Sequence, residues 1–194
     1  MANLDEFANR SDVELLELAL SGQESAFLLL YEKLKVKIFR YAFYMTGSRA
    51  EAEEVTQEVF MSLLKEGRNY EPSRGEVAAF AFGIARNFVR RIMRRERAYL
   101  PLPASDSAAG DGLGLPGANS SVDALPGQLI RNELVDKLHA ALASLPDHYR
   151  QAVVLCDLCE FSYADAALQL RCAVGTVRSR LNRAHSLLAQ KLKP

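Results

Sequence analysis

Apolar residues recur every three to four positions along most of the chain, which is the spacing of one buried face of an α-helix. The first such block covers about residues 11–66, and Gly22 and Gly47 divide it into three predicted helices. Ser11 or Asp12 is expected to cap the first helix. The expected buried residues are Val13, Leu16, Leu20, Phe27, Leu30, Tyr31, Leu34, Val55, Val59, Phe60, Leu63 and Leu64.

A turn and a fourth helix follow this block. Residues 69–75 are rich in turn-forming residues and predict an ordered loop. A long helix is predicted over about residues 76–98, with arginines crowding its C-terminal half. Its buried face is expected to contain Val77, Phe80, Ala81, Ile84, Ala85, Phe88 and Ile92.

The pattern then stops over residues 100–127, where Pro, Gly, Ala, Ser and Asp dominate and no periodicity remains. Such a composition predicts a flexible linker. Because a long structureless loop is uncommon inside a compact domain, the break also predicts two domains. We place the first domain at residues 1–98, the linker at 99–128 and the second domain at 129–194.

The second domain is predicted to begin with a leucine stripe (Leu134, Leu138, Leu142 and Leu145) that ends at Pro146. Asp147 is expected to cap a helix that continues to about Leu158.

The last part of the chain has the dimensions of a helix-turn-helix. Ser162 is expected to cap a short helix that ends at Leu170, residues 171–175 to form a turn, and Thr176 to cap a final helix that ends near Leu192. The predicted fold class is therefore all-α, with two small helical domains and a helix-turn-helix in the second.

Charge changes this picture because it is distributed unevenly, although the formal net charge is zero. Residues 1–60 contain 11 acidic and 6 basic residues, whereas residues 86–97 contain 6 arginines and one glutamate, and residues 171–194 contain 6 basic residues and no acidic one. A basic run is often only a solvated helix face. Two separate basic helices in an otherwise acidic chain favour two contacts with a polyanion, and the acidic N-terminal part favours a protein partner.

The final helix is the candidate for reading DNA. If Val177, Leu181, Ala184 and Leu188 pack inward, then Arg178, Ser179, Asn182 and Arg183 point outward. Arginine can bond guanine edges and asparagine adenine edges in the major groove. Arg171 and Arg180 lie where phosphate contacts are expected, and Thr176 completes the candidate set.

Residues 175–184 closely resemble the recognition helix of extracytoplasmic-function (ECF) sigma factors. Further segments resemble other parts of that family in the right order: residues 50–60 the helix that grips RNA polymerase, 73–75 and 84–87 the promoter-melting segment, and 145–150 and 161–167 the entry and first helix of the helix-turn-helix domain. The resemblance covers about 150 residues in both domains.

The resemblance implies that the first domain melts the −10 promoter element. The loop at residues 70–75 would hold a flipped base, and the basic helix would follow the phosphates. For Asn87 the alternative is a local helix-capping or core hydrogen bond. The family usually has Trp near Phe80. The implied contacts are Tyr70, Ser73, Arg74, Phe80, Arg86, Asn87, Arg90 and Arg94.

The resemblance also implies a polymerase-binding face on the third helix. Glu54, Gln57, Glu58 and Met61 share one face at helical spacing, and an ordinary solvated face is the alternative. The implied contacts are Glu51, Glu54, Gln57, Glu58, Phe60 and Met61.

Other chemistry is weakly indicated. Cys156 and Cys159 form a lone C-x-x-C, and we expect both thiols to be buried. One alternative is a zinc site, but zinc would need two more ligands, for which His148 is the nearby candidate. The other alternative is a redox role. No catalytic motif occurs, so we expect no enzyme activity, no cofactor, no bound metal and no small-molecule substrate.

The cellular setting follows from what the sequence lacks. No run of about 18 apolar residues occurs, residues 1–10 lack the apolar segment of a secretory signal, and the three cysteines form no disulfide framework. A cytoplasmic protein without membrane insertion is expected.

The predicted function is that of an alternative sigma factor. It would bind core RNA polymerase and promoter DNA, and the resemblance implies an anti-sigma partner that clamps both domains. The alternatives are a helix-turn-helix regulator that never binds polymerase and an adaptor that mimics a sigma factor to sequester an inhibitor.

Overall fold

The computed structural model of the chain describes residue 7, residues 9–99 and residues 126–192. Most of these residues are helical and none of them forms a strand, which confirms the predicted all-α fold. The chain divides into two compact units, Met1–Ala98 and Tyr99–Pro194. Most of the predicted linker lies outside the described residues, so its flexibility stays a prediction.

In the first unit, residues 9–99 form four helices and two short turns. They are α1 (Asp12–Leu20), α2 (Glu24–Thr46), α3 (Arg49–Glu66), 3₁₀ turns at Gly67–Asn69 and Pro72–Arg74, and α4 (Val77–Tyr99).

Local sequence signals set the ends of these helices. Ser11 caps α1 in a capping box: its Oγ accepts a hydrogen bond from the Glu14 amide at 3.3 Å, and the Glu14 carboxylate accepts one from the Ser11 amide at 2.8 Å. Gly47 ends α2 in the left-handed conformation at φ 75°, and Ser48 caps α3.

The core of the first unit differs from its predicted composition. Phe82 and Val89 were not expected in the core, yet both are buried, and the Phe82 ring meets that of buried Tyr41 at 5.7 Å. Phe80, Ile84 and Phe88, which were predicted to be buried, are only half-buried. Apolar residues cover more of α4 than its neighbours can enclose, so the remainder stay at the edge of the core.

The first three helices also differ from the prediction in part. Leu15 is buried although its burial was not predicted, and Leu64 is exposed although it was expected to be buried. Four further residues that were expected to be buried are half-buried: Val13, Leu20, Phe27 and Tyr31.

In the second unit, residues 126–192 form four helices and one π-helical turn. They are α5 (Pro126–Ala143), α6 (Asp147–Val153), the π turn (Val154–Leu158), α7 (Tyr163–Leu170) and α8 (Val174–Lys191). α5 begins three residues before the predicted start of the domain.

The predicted leucine stripe, which lies on α5 except for Leu145 just after it, is only partly buried. Leu142 and Leu145 lie in the core, Leu138 is half-buried, and Leu134 is 61% exposed. The core of this unit is completed by residues of the later helices: Val153, Val154, Leu155, Ala166, Ala167, Val177, Leu181 and Ala184.

Two predicted caps in this unit are wrong. Asp147 is the first residue of α6 rather than its cap, because the extended residue before the helix is Pro146. Thr176 lies inside α8, which begins two residues earlier after Ala173. The predicted helix after Asp147 is also interrupted by the π turn. The cap at Ser162 is confirmed, since its Oγ accepts a hydrogen bond from the Asp165 amide at 3.1 Å.

Candidate nucleic-acid and protein interfaces

The helix-turn-helix is built by a short turn between α7 and α8. Arg171 ends α7 in the left-handed conformation at φ 51°, and Ala173 is extended before α8. The turn is therefore shorter than predicted, and it places Gly175 inside the first turn of α8. The face of α8 that packs inward consists of the predicted residues Val177, Leu181, Ala184 and Leu188.

The outward face of α8 is hereafter the reading face: Arg178, Ser179, Asn182 and Arg183. All four side chains are exposed. The Ser179 hydroxyl donates to the Thr176 carbonyl at 2.9 Å, while Thr176 itself is half-buried. The spacing in the sequence thus identified an exposed polar surface; its role in binding DNA stays a prediction.

The basic residues around the reading face differ in how they are held. Arg183 Nη1 donates to Tyr149 Oη of α6 at 3.4 Å, and this hydrogen bond raises the pKa of Arg183. Half-buried Arg180 places Nη1 3.9 Å from the Cys172 sulfur. Arg171 and Arg178 are exposed.

A second polar surface runs along α4, hereafter the arginine strip: Phe80, Gly83, Asn87, Arg90 and Arg94. These residues recur every three to four positions, opposite the buried face of the helix. Asn87, Arg90 and Arg94 are exposed, Phe80 is half-buried, and Arg86 is half-buried at the edge of the strip.

The loop before α4 meets one end of the arginine strip. The Tyr70 hydroxyl donates to the Gly75 carbonyl at 2.8 Å, and its ring lies 5.7 Å from that of Phe80. Burial, with smaller contributions from Glu76 and Asp12, raises the pKa of Tyr70, so its hydroxyl stays a donor. Gly75, at φ 124°, closes the loop in a conformation that suits glycine. Ser73 is exposed, and Arg74 belongs to the second 3₁₀ turn.

The predicted polymerase-binding residues lie on α3, where Glu54, Gln57, Glu58 and Met61 form an exposed ridge. Glu51 is half-buried. Phe60 differs from the others, because only 4% of it is exposed and its ring packs 4.6 Å from that of Tyr31 and 6.1 Å from that of Phe27. Phe60 therefore supports the ridge from beneath and lines the groove beside it, and its contact with polymerase stays a prediction.

An apolar groove lies beside this ridge, between α2 and α3, with a volume of about 740 Å³. Val36, Met61 and Leu64 are each more than 40% exposed along it. Charged residues also line it, among them Lys35, Arg49 and Glu53. The groove was not predicted; the available signal was the excess of apolar residues on α2 over what one face can bury.

A smaller cleft of about 120 Å³ lies on the other side of the ridge, between α3 and α4. Glu54 and Glu58 line one wall, and Arg91 and Arg95 belong to the other. The Arg91 guanidinium lies 4.6 Å from the centre of the Phe88 ring. The ridge is therefore bordered by an apolar groove on one side and by a charged cleft on the other.

The cysteines and the remaining chemistry add little to these surfaces. Cys159 is buried, and burial followed by the charge of Asp157 raises the pKa of Cys156 to about 11. A thiol with such a pKa stays protonated near neutral pH. Within the described residues no group of three or more His, Cys, Asp or Glu side chains is arranged to hold a metal, and no helix has the length and apolar character that a membrane span requires.

Comparisons with known proteins match both units. The family model "Sigma-70 region 2" matches residues 30–99, and "Sigma-70, region 4" matches residues 136–188. The chain is 30% identical to the RNA polymerase sigma-H factor of Pseudomonas aeruginosa over 191 residues, which cover 94% of each protein. It is 32% identical to the ECF RNA polymerase sigma factor SigE of Mycolicibacterium smegmatis over 158 residues, which are 80% of this chain and 57% of that protein.

One solved structure is also similar, that of the sigma factor RpoE in complex with the anti-sigma factor NepR from Bartonella quintana. The TM-score is 0.58 at 26% identity, over 87% of this chain and 95% of that chain.

Fold and surfaces together define a helical transcription factor with a C-terminal helix-turn-helix. The order and extent of the matches go further: the chain belongs to the ECF sigma factors of RNA polymerase. Members of this family are non-enzymatic initiation factors that direct polymerase to promoters. The predicted family is confirmed, whereas the roles of individual surface residues stay predictions.

Proposed function

We propose that the chain acts in the cytoplasm as an initiation factor in which each of its surfaces has a separate role. The ridge and groove of α3 dock on core RNA polymerase, the arginine strip and its loop engage the −10 element, and the reading face recognises the −35 element. The domain of residues 1–98 thus serves polymerase binding and melting, and that of residues 129–194 serves recognition. The protein performs no chemistry itself.

The observation that carries this proposal is the ridge with its apolar groove. A regulator that bound only DNA would leave a groove of about 740 Å³ without a use. Exposed apolar side chains that line a groove with charged residues at its rim are typical of an interaction site. Met61 suits such a site because its flexible thioether adapts to a partner surface, and Glu54 and Glu58 favour a basic partner.

The first unit has the chemistry that a melted strand requires. An unstacked base can stack on an aromatic side chain, and the ring pair of Tyr70 and Phe80 is only half-buried. Arg90 and Arg94 continue from that pair along the arginine strip, where they can neutralise successive phosphates. This order of groups supports the assignment of Tyr70, Phe80, Asn87 and the strip arginines to the −10 element.

The reading face has the chemistry that duplex recognition requires. Arg178 and Arg183 are exposed on one helix, so both can enter a major groove with Asn182. Arg171, which precedes that helix, and Arg180, on its side, suit phosphates, which fix the position of the helix on the duplex.

Regulation by an anti-sigma protein is part of the proposal. RpoE, which this chain resembles, was solved in complex with the anti-sigma factor NepR. The exposed apolar groove and the reading face are surfaces that a partner would have to cover to keep this protein inactive.

In vitro transcription with core RNA polymerase tests the proposal. Core enzyme with this protein should start transcripts at defined promoters on genomic DNA, and core enzyme alone should not. Sequence-specific DNA binding without association with core enzyme would instead support a regulator. Association with an inhibitor but neither with core enzyme nor with DNA would support a sigma-mimicking adaptor.

A further inference from the structure

The first turn of α6 lies against the outward side of α8. Although 34 residues separate them in the sequence, Arg183 Nη1 donates to Tyr149 Oη at 3.4 Å. Arg183 is exposed and Tyr149 is half-buried. A side chain outside the helix-turn-helix therefore holds one of the candidate base-reading groups.

Tyr149 is itself held in place. The extended Pro146, whose ring restricts φ, precedes α6. Arg150 Nη2 donates to the Ala143 carbonyl at 2.6 Å and so ties α6 to the end of α5. The ring of His148 lies 4.0 Å from that of Tyr149. The hydroxyl thus has a defined position relative to α8.

The chemistry of arginine makes this contact useful. A guanidinium has five N–H donors in a planar fork, so one bond to a hydroxyl leaves enough donors for the O6 and N7 atoms of a guanine. An unheld arginine loses its rotamer freedom when it binds, whereas an arginine that is already held loses less. Arg178 offers the internal contrast, because it has no partner among the side chains that the structure describes.

We propose that Tyr149 is a positioning residue that orients the Arg183 guanidinium for base-specific contact in the −35 element. The proposal rests on the proposed role of the reading face. It makes Tyr149, which the helix-turn-helix pattern does not include, a determinant of promoter specificity that acts through Arg183.

The test uses the full-length protein with core RNA polymerase and a duplex that the wild-type complex selects from a pool with a randomised segment. Tyr149→Phe removes only the hydroxyl. We expect it to weaken binding to the selected duplex by about three- to tenfold. Binding to duplexes that carry a substitution at the base pair read by Arg183 should hardly change, so discrimination at that base pair falls.

Two comparisons separate positioning from other roles. Tyr163→Phe, on the exposed Tyr163 of α7, is the matched control and should bind as wild type does. In an Arg183→Ala or Arg183→Lys background, Tyr149→Phe should have no further effect, because the group that it positions is gone or has lost its fork.

The outcomes are distinct. If Tyr149→Phe weakens every duplex equally, or retains its full effect in the Arg183 backgrounds, Tyr149 contacts phosphate or supports the fold, and the inference is wrong. If the wild-type complex selects no −35 sequence, the proposed function of α8 fails first. If the wild-type complex selects a −35 sequence and Tyr149→Phe discriminates at the base pair read by Arg183 as well as wild type does, the inference about Tyr149 is wrong and the proposed function of α8 stands.

Discussion

Arg90 and Arg94, in the arginine strip on α4, differ from Arg183 of α8 in whether another side chain holds the guanidinium in place. Arg90 and Arg94 have no hydrogen-bond or ion-pair partner in the part of the chain that the structure describes. On α8, by contrast, Arg183 contacts Tyr149 and Arg180 contacts Cys172. An unrestrained arginine adapts to a phosphate wherever the backbone runs, whereas a restrained one presents one geometry. The contrast is therefore between the strip, whose arginines can follow a melted strand, and Arg183, which can read a duplex in one geometry. Among the described residues, Arg178 of α8 is unrestrained like the strip.

The largest expected effect is on binding to core polymerase. Without polymerase no promoter DNA is melted, so the strip on α4 would have no single strand to bind. Glu54→Arg combined with Gln57→Ala reverses a charge and removes a polar contact on the ridge. We expect a loss of about 2–4 kcal/mol in core-polymerase binding, with unchanged sequence preference of the second unit for duplex DNA. Co-purification and binding titration measure it.

Glu66→Arg is the control for this variant, because it makes the same charge change on α3 outside both the groove and the cleft. Normal association of the double variant with polymerase would remove the ridge from the interface.

The next-largest effect distinguishes the arginines of α8 from those of the strip. Arg183→Ala and Arg178→Ala should each weaken binding to the selected −35 duplex by about 1–3 kcal/mol and relax base preference. Arg90→Ala and Arg94→Ala should instead weaken binding to all promoter sequences alike, and each should lower the slope of log affinity against log salt by about 0.7–0.9. Binding titrations across salt concentrations measure both. Base-specific losses at α4 or uniform losses at α8 would reverse our assignment.

A smaller effect separates the two units by pH, since all three histidines lie in the second. His139 is buried, and desolvation lowers its pKa from 6.5, with Asp136 opposing. The unfolded chain therefore binds this proton more readily than the folded one, so stability falls as pH drops through and below about 6.5, by at most about 1.4 kcal/mol per pH unit.

Hydrogen exchange at about pH 7.5 and about pH 5.5 measures this loss in each unit separately. His139→Gln should flatten the pH dependence of the second unit, and His148→Gln, at an exposed histidine, should leave it unchanged. An equally steep dependence in His139→Gln would rule out this origin.

The smallest expected effect concerns Gly83, at the middle of the arginine strip. A Cβ at this position would meet no atom within 4 Å, so Gly83→Ala should stabilise the first unit by about 0.5–1 kcal/mol through helix propensity. Thermal unfolding measures it. The added methyl group should also slow promoter opening if DNA approaches the strip closely there.

Gly75→Ala provides the contrast, because φ 124° at Gly75 strains any residue with a Cβ, and it should destabilise the same unit. A loss of stability in Gly83→Ala would mean that α4 is less regular around this glycine than the structure shows.

Much of the local architecture could be predicted. Ser11, Gly47 and Ser162 end or begin helices through hydrogen bonds and backbone conformations that involve only neighbouring residues. The packing face of α8 follows from a spacing of three to four residues, and its outward residues follow from that face. Such features depend on interactions within one or two turns of helix, and a single sequence contains all of them.

Features that join separate helices could not be predicted. The burial of Phe82, the groove beside Met61 and the contact of Tyr149 with Arg183 all depend on which face of each helix meets which neighbour. Helical periodicity limits the faces that can be buried, but where apolar residues cover more of a helix than its neighbours can enclose, only packing decides which of them stay exposed. The sequence by itself determined the helices and the family; the tertiary structure decided which apolar residues remained available to a partner and which arginine was held in place.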